Sequence, residues 1–396
     1  MAERNLDFDR LTDRRNSSSL KYDFAAERGK PESALPLWVA DMDFKVSSYV
    51  TDALEQMVLH GIFGYSEAGE RYYEAVSGWM RRHHGWKVEK NWLVKTPGVV
   101  FALAMAVRAF TKKGDGVLIQ NPVYYPFSEV ILDNQRRLVS NALVRAEDGS
   151  YHIDFDDFEK KITEEQVKLF LLCSPHNPVG RVWTREELMR MGDICLKHRV
   201  LVVSDEIHAD FAWERTHEVF LRLRPEYRQN SIVCTSPSKT FNLAGLQVSN
   251  IFIPDQTLRE SFCREISAAG YSQLNLAGLV ACEAAYRHGE EWFQKLSEYI
   301  RENAAFTRAY LEERLPGVKM TRLEGTYLVW LDFREYGLSD EELEEVLLYK
   351  AGVWLDGGAM FGREGEGFQR INIACPRSVL KEALDKICAA LEEKTH

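Results

Sequence analysis

Apolar runs of strand length alternate with amphipathic stretches over the first three quarters of the chain. The runs lie at 92–95, 116–120, 138–144, 167–173, 200–204, 231–235 and 248–253. Most are apolar at consecutive positions, the pattern of strands buried on both faces. Between them, 48–60, 71–84, 100–110 and 154–162 carry helical spacing, and Thr184 with Glu187 three residues on predicts a capping box at the start of another helix. Buried strands separated by helices predict an α/β fold, a mostly parallel sheet between two layers of helices. The pattern changes near 284–288. A long amphipathic segment at 290–315 ends at Pro316-Gly317. After it come a strand at 326–332, a helix at 340–351, strands near 353–355 and 369–374, and a final helix at 378–393, which predict a smaller α/β unit. Residues 1–35 are polar and lack periodicity. The following LPLWVADMDF, at 35–44, is rich in apolar groups around Asp41 and Asp43. The expected division is an N-terminal arm at 1–47 packing on the small domain and active site, a large domain at 48–288 and a small domain at 289–396.

Composition narrows the function classes. The chain has 396 residues, 45% hydrophobic and 28% charged, with a net charge of −10. That acidity argues against a nucleic-acid binder, which carries a basic patch. No apolar run reaches membrane-spanning length; the nearest, 101–110, is broken by Arg108. The charged opening MAERNLDFDR lacks the apolar centre of a secretion signal, so a cytoplasmic location is expected. Seven scattered cysteines without a CxxC read as reduced core residues rather than a disulfide frame or zinc site. Adjacent His83 and His84 do not share a helical face, so no metal site is expected there, and beside Arg81-Arg82 they fit a solvated helix end.

Ligands of a parallel sheet bind outside the carboxyl ends of its strands. The strand assignments put Tyr124, Asn177, Asp205 and Lys239 just past such ends. Lys239 sits between apolar runs, where desolvation lowers an amine's pKa and makes it a nucleophile. An amine, a carboxylate, an amide and a phenol on one rim suit pyridoxal 5′-phosphate (PLP). Lys239 would condense with the cofactor aldehyde and later act as the general base. Asp205 would pair with the pyridine nitrogen, and Asn177 would donate to the ring's phenolic oxygen. Tyr124, the other residue placed at the reacting centre, would stack on the ring. Val99 and Val100 follow Pro97-Gly98 at a helix start and would offer backbone N–H groups to the phosphate, with Ser236 and Ser238 adding hydroxyls. Each feature has an ordinary structural explanation by itself: an Asp cap, an Asn-Pro turn, a Pro-bounded tyrosine. Their joint order along the chain favours the cofactor. His208 reads as a support behind the site, not a metal ligand. No GxxxxGK loop, Rossmann fingerprint or HExxH competes.

The series TPGVV, NPVYYPF, SPHNPVG, SDEIHADF, SPSKTFNLAGL and RINIACPR resembles the class I/II aminotransferase superfamily, PLP fold type I, over almost the whole chain. LPLWVADMDF, EIHAD and SKTFNLAGLQ are most similar to the MalY/PatB-type cystathionine β-lyases, also called cysteine-S-conjugate β-lyases. The resemblance implies a homodimer with shared active sites, in which Tyr65 reaches the neighbouring subunit's phosphate. It implies that Arg370 holds the substrate α-carboxylate, while Trp38 and Tyr327 touch the substrate side chain. One departure from the wider pattern is Gln247, where many members carry a phosphate-binding cation. The expected activity is carbon–sulfur β-lysis of L-cystathionine or cysteine S-conjugates to a thiol, pyruvate and ammonia. An aminotransferase, or a regulatory protein on the same scaffold, remains open at this level.

Overall fold

A computed structural model describes residues 2–393. Seven strands form the main sheet: β1 (Leu93–Thr96), β2 (Gly116–Ile119), β3 (Arg137–Ser140), β4 (Val167–Cys173), β5 (Leu201–Asp205), β6 (Ser231–Thr235) and β7 (Ser249–Phe252). Their spatial order is β1-β7-β6-β5-β4-β2-β3. The pairs from β3 through β6 are parallel, and β7 runs antiparallel to both of its neighbours. The helices that position the site are α1 (Ser48–His60), α2 (Glu70–His84), α3 (Val99–Phe110), α4 (Arg185–Lys197), α5 (Leu276–His288) and α6 (Glu290–Arg314). Strand alternation sends neighbouring side chains to opposite faces. Val117, Ile119, Leu169, Leu171, Val203 and Ile232 pack with Leu103, Ala106 and Val107 of α3. Leu118, Phe170, Leu172, Val202 and Val233 share the other core with Leu188, Met191 and Cys195 of α4. The fully apolar runs of the sequence exist because both faces are covered.

A second sheet contains β8 (Lys319–Met320), β9 (Leu328–Asp332), β10 (Asp356–Gly357) and β11 (Phe368–Asn372) in the order β8-β9-β11-β10, antiparallel throughout. Glu324, just before β9, ties this sheet to the main one. Its Oε2 accepts from Arg181 Nε at 2.9 Å and from the Val182 N–H at 3.0 Å. The Gly180 carbonyl accepts from the backbone N–H groups of Glu324 and Gly325, each at 2.9 Å. A Cβ on Gly325 would stand 2.6 Å from Val182 Cγ2 and 2.8 Å from the Phe211 carbonyl, so the approach needs glycine.

The N-terminal arm packs onto both sheets. Residues Leu35–Pro36 pair in parallel with Val353–Trp354. Buried Lys21 reaches Asp43 at 2.7 Å, and Arg14 joins Asp41 at 2.6 Å and Asp43 at 2.7 Å.

Three local expectations fail. The run at 138–144 is not one strand. The side chain of buried Asn141 donates to the Asp154 carbonyl at 3.0 Å and to Asp157 at 2.9 Å, which takes the chain off the sheet; Val144–Arg145 then pairs with Tyr151–His152. The helix expected at 340–351 is α-helical only over Asp340–Glu344 and continues as a wider π turn over Glu345–Lys350. His83 and His84 do not end α2 in solvent. His84 is buried with Nε2 2.9 Å from Asp210, and His83 stacks on Trp79 with its Nε2 2.8 Å from Glu290, because this helix end packs against α5 and α6.

Candidate active site

Each loop of the site begins where a buried strand runs out. β6 ends at Thr235, and Ser236 caps the short turn Pro237–Thr240 by accepting the Ser238 N–H at 3.0 Å. That turn carries Lys239 inward. Its Nζ donates to the Ala40 carbonyl of the arm at 2.9 Å, and the Tyr327 hydroxyl donates to the same oxygen at 2.8 Å. Burial lowers the Lys239 pKa to about 8; the Arg370 charge acts in the same direction, while Asp41 and Asp205 oppose it. Asp205 is the last residue of β5. Burial raises its pKa to about 7 against one hydrogen bond, from the Ile207 N–H at 3.0 Å.

Asn177 follows β4 in a turn fixed from three sides. Its N–H approaches Cys173 Sγ at 3.4 Å, its carbonyl accepts the Tyr124 N–H at 3.1 Å, and its Oδ1 accepts Arg370 Nη1 at 3.0 Å. Tyr124 is thereby set against Asn177, and burial raises its hydroxyl pKa. α3 starts at Val99 with no side-chain cap on its free N–H groups.

Val99, Val100, Tyr124, Asn177, Asp205, His208, Ser236, Ser238 and Lys239 all line one cavity. Its floor and walls include Ala40, Phe127, Cys173 and Ile207, mostly apolar groups around a few polar ones. Asp205 and Lys239 face the same space. His208 is buried beside it with Nδ1 unpartnered and its ring edge-on to Tyr327 at 5.8 Å; burial holds its pKa well below the usual value, so the ring is neutral. The Ser236 hydroxyl donates to the Val248 carbonyl at 2.7 Å, so its proton is already engaged. Gln247 also lines the cavity, so no cation faces the helix start from that position.

Four residues lie outside this lining. Arg370 is 2% exposed, on β11 behind Asn177. Tyr327 is fully buried and touches the site through Ala40. The Trp38 ring stacks on Trp354 at 4.4 Å and lines an outer cleft, while its carbonyl accepts Arg370 Nη2 at 3.0 Å. Tyr65 is 99% exposed in the loop after α1.

Sequence reasoning missed several contributors. Asp356 pairs with Arg370 inside the protein. Asp210 accepts from His84, from Trp79 Nε1 at 3.1 Å and from the Thr240 hydroxyl, so it ties the loop after Asp205 to the residue after Lys239. The HAD of SDEIHADF was the available signal for Asp210; Asp356 had none beyond its place before two glycines.

The residues present fit PLP. An uncapped helix start and the Ser238 hydroxyl offer donors to a phosphate. Asp205 is a carboxylate whose burial calls for a cationic partner. Arg370 takes the Asn177 oxygen, which turns the amide N–H₂ to the cavity.

A family model described as aminotransferase class I and II matches residues 47–387. The cystathionine beta-lyase PatB of Bacillus subtilis is 45% identical over 98% of this chain and 100% of its own length. Protein MalY of Escherichia coli is 32% identical over 97% and 98%. The crystal structure of cystalysin from Treponema denticola, which contains a pyridoxal 5′-phosphate cofactor, superposes with a TM-score of 0.94 at 37% identity, covering 98% of this chain and 99% of that one.

Proposed function

The chain belongs to the class I and II aminotransferase family, and from that membership we propose that it is a PLP-dependent carbon–sulfur β-lyase. The observation that carries the reading is the convergence of Lys239 and Asp205 on one cavity beside Tyr124, Asn177 and an uncapped helix start. The 45% identity to a cystathionine β-lyase along the whole chain supports lysis over amino transfer. Proposed substrates are L-cystathionine and other S-substituted cysteines.

Bound PLP supplies an electron sink conjugated to the substrate's Cα. The protein's own groups do the rest. Val99, Val100 and Ser238 would hold the phosphate, Asp205 the ring nitrogen and Asn177 the phenolic oxygen. Ser236 shapes the turn that carries Ser238 and Lys239, Tyr124 would cover the ring, and His208 supports Asp205's loop as a neutral wall. Arg370 binds the α-carboxylate, which sets the Cα–H bond for cleavage. Lys239 Nζ removes that proton; a pKa of about 8 makes it a usable base near neutral pH. The Cβ–S bond then breaks and sulfur leaves as thiolate. Water releases the remaining three carbons as pyruvate and the nitrogen as ammonia. Tyr327 holds the Ala40 carbonyl on which Lys239 rests, and the Trp38 carbonyl steadies Arg370.

The proposed division is an arm at 1–47, a large domain at 48–288 and a small domain at 289–396, of which residues 1 and 394–396 lie outside the described residues. Tyr65 stands among exposed Leu59, Ile62 and Phe63, an apolar patch that suits burial against a second copy. That supports a homodimer in which Tyr65 completes the partner's phosphate site. Among the described residues no helix is long and apolar enough to cross a membrane.

The test is purified protein with L-cystathionine. Thiol and pyruvate are expected without any added 2-oxo acid, and Lys239→Ala should lose at least about 10³-fold in turnover. Glutamate formed from an amino acid and 2-oxoglutarate, with no thiol from cystathionine, would make the enzyme an aminotransferase.

A further inference from the structure

Arg370 and Asp356 face each other in register across β11 and β10, so their side chains leave the sheet on the same side. Both are buried. The guanidinium has five N–H groups. Nη1 gives one to Asn177 Oδ1 at 3.0 Å. Nη2 gives one to the Trp38 carbonyl at 3.0 Å and the other to the Asp356 carboxylate. Nε is buried and donates to nothing.

A carboxylate grips guanidinium through two parallel N–H groups, either Nε with Nη2 or Nη1 with Nη2. Both forks run through Nη2, whose hydrogens are taken. The Trp38 carbonyl is fixed in place: the Leu37 N–H donates to the Trp354 carbonyl at 2.9 Å, and the Asn372 N–H donates to the Leu37 carbonyl at 2.9 Å. Asp356 precedes Gly357 and Gly358 and borders the outer cleft, whose lining also includes Trp38, Trp354 and Met360. That cleft is the open space next to the Asp356 residue. Burial raises the Asp356 pKa, so its charge rests in a costly place.

We propose that Asp356 is a specificity-determining gate on Arg370: it occupies the guanidinium in the free enzyme and turns into the outer cleft when the substrate's α-carboxylate takes its place. The pairing keeps Arg370 in position and offsets part of its charge, so a ligand with only one carboxylate and no further contacts is held weakly. Substrates that also gain contacts elsewhere in the site displace Asp356. This rests on Arg370 being the carboxylate anchor.

The experiment measures propionate binding to the holoenzyme by titration calorimetry, independent of any turnover. Asp356→Asn keeps an oxygen for Nη2 and removes the charge. It should bind propionate about fivefold to tenfold more tightly and lower the KM for L-cystathionine. Asp356→Glu should restore wild-type propionate affinity. Unchanged or weaker propionate binding by Asp356→Asn overturns the gate. Should that variant fail to fold, a crystal structure of the wild type with propionate decides: Asp356 in the outer cleft supports the gate, and Asp356 still on Arg370 beside a bound propionate overturns it. Propionate binding indifferent to Arg370→Lys would instead remove the anchor itself, which is distinguishable from failure of the gate.

Discussion

Lys239 and Asp205 are pushed toward neutrality by the same burial, in opposite directions along the pH scale. The Asp205 pKa rises from 3.8 to about 7 in the folded apoprotein. Between those values the folded chain holds more protons than the unfolded one, so stability falls as pH rises, and the penalty is complete above about 7. The Lys239 pKa falls from 10.5 to about 8. Its penalty is complete below about 8 and lifts as pH climbs toward 10.5, where the unfolded chain holds the extra proton. Apoprotein carrying Asp205→Asn should therefore melt higher than wild type at pH 8, by roughly 2–5 °C, and match it near pH 4. Differential scanning calorimetry at the two pH values checks this. The same substitution should weaken PLP, because a neutral amide does not hold a proton on the ring nitrogen. Buried charge at this pair is a cost the fold carries for its ligand.

Strand ends place the chemistry, and helix starts complete it. Thr184 shows how local the coding is. Its hydroxyl accepts the Glu187 N–H at 3.2 Å, and Glu187 reaches back to the Thr184 N–H at 2.8 Å, as the spacing predicts. Glu187 also holds Arg181, the residue after the Asn177 turn, at 2.9–3.0 Å. Thr184→Ala should cost about 1 kcal/mol, read as a lower urea midpoint at unchanged slope. The main strands and the runs to Tyr124, Asn177, Asp205 and Lys239 were legible because a two-sided buried strand is a continuous apolar word. The break at Asn141 was not, since it depends on a polar side chain whose partners lie 13 and 16 residues on. Nor was the burial of His84, whose partner Asp210 lies in a turn 126 residues on. Arg370 was reached through the resemblance carried by RINIACPR, but its partner Asp356 is set by strand register, which one-dimensional pattern does not carry.

At the scale of the whole molecule, the two sheets meet at the site through Glu324, and the arm closes it through Ala40. The proposed homodimer would extend this logic to a second copy through the exposed patch around Tyr65. Coexpressed Lys239→Ala and Tyr65→Ala chains test it. Each homodimer should be nearly inactive, while mixed dimers regain one complete site of two, giving about a quarter of wild-type lyase activity. Independent subunits would show no such recovery.

The hydrogen bonds that seat the arm join opposite ends of the sequence. The Leu37 carbonyl accepts from Asn372, the Val39 and Asp41 carbonyls accept from its side chain at 2.7 and 2.6 Å, and the Asp43 N–H donates to Ala374 at 3.0 Å. The carbonyls on either side of Ala40 thus hang on a side chain 331 to 333 residues further along the chain. A chain lacking Asn372 keeps Lys239 but loses the clamp on the segment whose oxygen seats its amine, so the base is positioned only once these distant segments have met.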